Sequence, residues 1–128
     1  MEIVCVTVDC ADPARVAGFW SEALRWNSHA APDGSGAICG NPSGGTYLEF
    51  IRVPEGKSGK NRVHLGCSAG GLEELDPELD RLRELGATVA WEEEFPPEVS
   101  QVYRNVVLRD VEDNEFCLGA GHLPSTPS

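Results

Sequence analysis

Two strand-like stretches each carry one side chain out of place among hydrophobes: Glu49 in "TYLEFIRV" and His64 in "RVHLGC". A carboxylate and an imidazole can both bind a metal. Hydrogen-bonded to one another they form a proton-transfer dyad, in which Glu49 orients His64 and raises its basicity. Side chains alternate along a strand. If Leu48 and Phe50 are core, then Tyr47, Glu49 and Ile51 point the other way; if Val63 and Leu65 are core, so does His64. The same alternation puts Val4, Val6 and Val8 inside and leaves Cys5 on the far side. Phe116 and Leu118 likewise leave Glu115 and Cys117 there.

The elements that must hold these residues are legible in the pattern. "EIVCVTV" alternates as a strand. "DPARVAGFWSEALRW" reads as a helix, with Asp12 as N-cap, Pro13 at the first helical position and a stripe of Val16, Phe19, Trp20 and Leu24. A meander follows, its short strands separated by the turns "PDGSG" and "NPSGG". After "PEGKSGKN" the order repeats. "RVHLGCS" is a strand, and "DPELDRLRELGA" a helix opened by Asp76 and Pro77 and stopped by Gly86. "TVAWEEE", "VYRNVVLRD" and "NEFCLGA" are strands, with a turn over Glu112 to Asn114. The result is a duplicated βαβββ unit of roughly sixty residues, an α+β architecture in which the faces not covered by a helix curl around a shared cavity.

Composition narrows the function. The 128 residues suit a single domain with a real core, and 41% hydrophobic content makes it globular. A net charge of −11 repels nucleic-acid phosphate and anionic membranes, while leaving cationic small molecules welcome. No apolar run approaches the ~20 residues of a membrane helix. The start "MEIVCVTVDC" lacks a signal-like segment, and five cysteines without framework spacing suit reduced thiols, so the expected location is cytoplasmic.

The stretches "DCADPARVAGFWSEALRW", "VPEGKSGKNRVHLGC", "LDRLRELGATV" and "VVLRDVEDNEFCLG" resemble, in order and over nearly the whole chain, a glyoxalase-like domain of the vicinal oxygen chelate superfamily. That superfamily includes glyoxalases, extradiol dioxygenases, thiol-transferring fosfomycin resistance enzymes and bleomycin-binding proteins. The resemblance implies two βαβββ modules, residues 1–54 and 61–122, forming a curled mixed sheet around a cavity, with a flexible tail at 123–128. It also implies metal-ligand positions at Cys5, Glu49, His64 and Cys117, where the superfamily's usual set is His or Gln, Glu, His and Glu. Two thiolates, one imidazole and one carboxylate would suit zinc or copper(I) better than magnesium, manganese or iron. Cysteine is also a common buried hydrophobe, and its presence at two ligand positions fits a domain that has lost its metal. The expectation is a metal-free cavity, with zinc the most compatible ion.

Tyr47 and Tyr103 are candidate ligand-binding residues through their hydroxyls, and Trp26 and Trp91, at the starts of equivalent strands, are candidate cavity walls. Glu49 has Arg62 or Arg104 as an alternative partner. Two functions follow. One is a lyase- or isomerase-type enzyme that moves a proton with Glu49 and His64, with or without a divalent metal. The other is a non-catalytic, bleomycin-resistance-like protein sequestering a cationic or aromatic ligand. Cys5 and Cys117 also admit a thiol-sensing role. By the same resemblance the chain is expected to be a homodimer with a small-molecule ligand, and no nucleic-acid or membrane partner.

Overall fold

The computed structural model describes residues 1–93 and 103–121. It divides into two compact units, residues 1–59 and 60–128. Each repeats one topology. In the first, β1 (Cys5–Cys10), α1 (Pro13–Leu24), β2 (Asn27–Ala30), β3 (Gly36–Gly40) and β4 (Tyr47–Arg52) build a sheet of order β1-β4-β3-β2. In the second, β5 (Leu65–Gly70), α2 (Leu72–Glu84), β6 (Thr88–Glu93), β7 (Arg104–Arg109) and β8 (Glu115–Ala120) give the order β5-β8-β7-β6. The first strand of each unit pairs parallel to the last, and the remaining pairs are antiparallel. Among the described residues no helix is long and apolar enough to cross a membrane.

Helix α1 begins as its sequence requires. The Asp12 carboxylate accepts from the Arg15 backbone N–H at 3.3 Å, and Pro13 opens the helix where no intrahelical donor is needed. Arg25 ends it in the left-handed region, φ 56°, and the Trp26 N–H closes back on the Ser21 carbonyl. Val16, Ala17, Phe19 and Trp20 are buried. On the sheet side they meet the layer of Ala37, Cys39, Leu48 and Phe50, and the Cys39 thiol donates to the Ala17 carbonyl at 3.2 Å. The alternation expected for β4 therefore holds: Leu48 and Phe50 are buried, while Tyr47 and Glu49 are half-exposed.

Three expectations are corrected. Val4 is not under the helix but 58% exposed, because β1 starts at Cys5, opposite Tyr47, the first residue of β4. Asp76 does not open α2. The helix starts at Leu72 with Gly71 as N-cap, and Asp76 and Pro77 lie inside it. The reason is Leu75, completely buried, which extends the stripe of Leu79 and Leu82 one turn toward the N-terminus, with Glu73 and Glu74 complementing the helix dipole there. This burial outweighs the one hydrogen bond that Pro77 removes. Finally, β5 begins at Leu65, so His64 precedes the strand and is exposed. The expected stop at Gly86 is present: its φ of 115° suits only glycine.

Candidate functional site

Each sheet has a face turned away from its helix, and strand register decides which side chains share it. On the first sheet, Thr7 lies beside Glu49, Glu49 opposite Ile38, and Ile38 opposite His29, one row across four strands. Cys5 lies beside Tyr47 in the next row. The Thr7 hydroxyl donates to Glu49 Oε1 at 3.1 Å, and Cys5 Sγ lies 3.7 Å from the same hydroxyl oxygen. Glu49 is thus held by a threonine, while Arg104 pairs with Glu92 at 2.7 Å and Asp76 at 3.5 Å. The hydrogen bond with Cys5, the thiol's charge and the nearby Glu49 raise the Tyr47 phenol above its ordinary range. His29 was not anticipated; it joins the row because β2 pairs with β3 in this register.

On the second sheet, Gly66, Cys117, Val107 and Trp91 form one row, and Ser68, Gly119, Asn105 and Glu93 the next. Small residues on adjacent strands leave space. A cavity of about 460 Å³ opens here, lined by Gly66, Ser68, Tyr103, Cys117, Gly119 and Gly121 among others. Tyr103 precedes β7 and lies over Gly119, and its phenol is raised above its ordinary range by burial, then by the charges of Cys117 and Glu93. Behind it, Asn105 is 5% exposed and donates from Nδ2 to Glu93 Oε2 at 2.8 Å. Glu92 is held low by the Arg104 guanidinium; Glu94, third in the acidic run, lies outside the described residues.

The predicted residues therefore separate into groups. Cys5, Tyr47 and Glu49 gather on the first sheet, and Tyr103 and Cys117 line the cavity of the second, with Trp91 on the row of Cys117. Trp91 is the fourth residue of β6 rather than its first, and Lys60 Nζ sits 5.5 Å from its ring centroid. Trp26 is half-buried just ahead of β2. Glu115, expected beside Cys117, is buried and structural: it accepts the Asn61 N–H at 3.1 Å. Asn105, Gly119, Gly66 and Ser68 were missed. Their signal was the spacing of small residues in "GCS" and "CLG", which on paired strands marks a hollow rather than a turn.

The chemistry of the donor set tests the implied metal. Cys5 and Glu49 belong to the first unit, His64 and Cys117 to the second. Among the described residues of either unit, no three His, Cys, Asp or Glu side chains converge. A metal site takes three or more protein ligands, so neither unit by itself fits one. All five cysteines are free thiols.

Burial pushes the Cys39 and Cys67 thiols up to about 11, helped at Cys67 by the charge of Cys117. At pH 8 each then holds roughly a hundredfold less thiolate than an ordinary thiol. Iodoacetamide should label both at least ~10-fold more slowly in the native protein than in urea; equal rates would contradict the burial. Because these pKa values are raised in the fold, the stability they carry is complete below the ordinary thiol range and is lost as pH climbs through 11.

Residues 5–119 match the glyoxalase-like domain family, and the chain belongs to it. No curated protein sequence matches. Its fold, two modules with unclosed sheets, is that of the vicinal oxygen chelate superfamily. A glyoxalase/bleomycin resistance protein/dioxygenase family enzyme from Burkholderia phytofirmans PsJN is similar with a TM-score of 0.75 at 16% identity, over 95% of this chain and 100% of that one. The fosfomycin resistance protein FosX from Listeria monocytogenes, complexed with Mn(II) and a dihydroxypropylphosphonic acid, gives 0.74 at 15% identity, over 96% and 91%. A lactoylglutathione lyase from Agrobacterium tumefaciens gives 0.66 at 17%, over 94% and 93%. At these identities the likeness speaks for the fold.

Proposed function

We propose that this chain is a small-molecule-binding protein of the glyoxalase-like family whose principal ligand seat is the hollow of its second sheet. The cavity carries the reading: its volume falls in the range of ligand pockets, and its mostly apolar wall is broken by a few polar groups, Ser68, Tyr103 and Cys117. Among the described residues no carboxylate or cation lines it, which favours an uncharged, aromatic ligand over a cationic one. A Gly66→Val variant tests this. Gly66 has ordinary strand geometry, and among the described residues a Cβ there would meet only Cys117 Sγ, at 3.4 Å, so the added side chain fills the hollow without strain on the backbone. Aromatic compounds that bind the native chain should lose binding in this variant, as read by saturation-transfer NMR; unchanged binding would move the ligand seat elsewhere.

Glu49 favours a second reading, proton transfer of the lyase or isomerase kind. Its carboxylate is held by Thr7 on a face away from the helix, a positioned base rather than an ion-paired one. In that reading Glu49 and His64 are the acid–base residues. Turnover of a carbonyl- or hydroxyl-bearing substrate that survived both Glu49→Gln and His64→Ala would remove it.

A further inference from the structure

The hollow of the second sheet holds a nucleophile, Cys117, half-buried among its lining residues. Register sets Cys117 beside Gly66, and Ser68 beside Gly119. A Cβ on Gly66 would lie 3.4 Å from Cys117 Sγ, so the sulfur stands next to a residue that has no side chain to cover it. The Tyr103 hydroxyl lies over Gly119, and its phenol feels the charge of Cys117, which brings ring and thiol to one wall of the cavity. The other thiols are placed differently. Cys67 also borders the cavity, but it pairs with the buried Leu118, one step along β5 from Gly66, and burial pushes its thiol up to about 11. Cys10 and Cys39 are buried in the core of the first unit. Cys5, half-buried beside Tyr47 on the first sheet, is the comparable accessible thiol.

Resting on the cavity as ligand seat, we propose that it takes uncharged aryl enones, aromatic carbonyl compounds with a conjugated C=C bond, and that Cys117 captures them covalently. A thiolate is the attacking form. Its sulfur forms a bond to the β-carbon while the C=C π pair moves toward the carbonyl oxygen. The enolate then takes a proton from water at the α-carbon, replacing the one the thiol gave to solvent. The addition balances without oxidant, reductant or leaving group. A ring seated among Gly66, Gly119 and Tyr103 holds the electrophilic carbon beside the sulfur, and that proximity supplies the rate.

Phenyl vinyl ketone carries ring and electrophile, methyl vinyl ketone the electrophile without the ring, and propiophenone the ring without the electrophile. The full chain is reacted with each enone at pH 8, and adducts are located by peptide mass spectrometry with Cys5 as internal reference. The ratio of Cys117 to Cys5 labelling rates should be at least ~10-fold higher with phenyl vinyl ketone than with methyl vinyl ketone. Gly66→Val should remove that preference. Propiophenone should bind the native chain and not Gly66→Val, as read by saturation-transfer NMR. Equal ratios for the two enones, in a native chain that does bind propiophenone, overturn the capture by Cys117 and leave the cavity standing. Propiophenone that binds neither chain, or both alike, overturns the cavity and this inference together. Should Gly66→Val fail to fold, competition in the native chain decides: propiophenone should slow the labelling of Cys117 by phenyl vinyl ketone and leave that of Cys5 unchanged, and equal slowing or none overturns the seat.

Discussion

Asp110→Ala is expected to lower the stability of the chain by about 2–4 kcal/mol, the larger end reflecting several donors stranded at once. Asp110 is 3% exposed at the end of β7. Its Oδ1 accepts the backbone N–H of Glu112 at 2.8 Å and of Asn114 at 3.1 Å, and the Asn114 amide bridges both carboxylate oxygens. The backbone closes the same turn through Asp110 N–H to the Asn114 carbonyl, with Asp113 in the left-handed region at φ 65°. One carboxylate therefore shapes the whole hairpin between β7 and β8. That hairpin sets the register pairing Arg109 with Glu115 at one end and Asn105 with Gly119 at the other. Urea unfolding measures the loss. Asp110→Asn, which keeps one acceptor oxygen, should lose about half as much. A loss under ~1 kcal/mol for the alanine variant would mean that water or backbone repacking replaces the carboxylate.

The same hairpin illustrates what a sequence makes legible. "RDVEDNE" reads as a turn because Asp and Asn bond to backbone a few residues on, a local effect. Asp12 and Pro13 are equally local, and the cap they predict is the cap observed. Asp76 and Pro77 carry an identical signal with the opposite outcome, because the burial of Leu75 is a tertiary fact that no local pattern contains. The alternation in "YLEFI" placed Glu49 correctly, since Leu48 and Phe50 are heavy enough to choose a face. "RVHLGC" was too weak to do so: Val63 is 79% exposed, and the strand starts after His64. Within the candidate site, Cys117 could be read from strand parity, whereas Asn105 could not. Its place depends on the bond to Glu93 and on the pairing of β7 with β8, which sets a glycine fourteen residues away opposite it.

Gly119→Ala is expected to drive Tyr103 from the cavity wall and cost about 1–3 kcal/mol, the range for overpacking a filled site. The backbone at Gly119 accepts any L residue, since its φ is not positive, so the effect comes from space alone. An ideal Cβ would lie 2.2 Å from the Tyr103 hydroxyl oxygen and 2.7 Å from Cζ, with Asn105 Oδ1 a third neighbour at 3.1 Å. A phenol ring has no flexible end to yield, so the whole side chain must swing at its first torsion. Ultraviolet titration reads this directly, because the chain has only two tyrosines and Tyr47→Phe leaves Tyr103 alone. In that background the Tyr103 phenol should titrate above its ordinary range, its ionised form disfavoured by burial and by the charges of Cys117 and Glu93. The sign follows from linkage. A phenol raised in the fold contributes stability that is complete below about pH 10 and is lost as pH rises through the folded value. Adding Gly119→Ala should return the titration to about 10 and move that loss of stability with it. A raised titration that persists would mean that Tyr103 is buried by something other than its seat over Gly119, and the hollow would then owe its shape to the glycines alone.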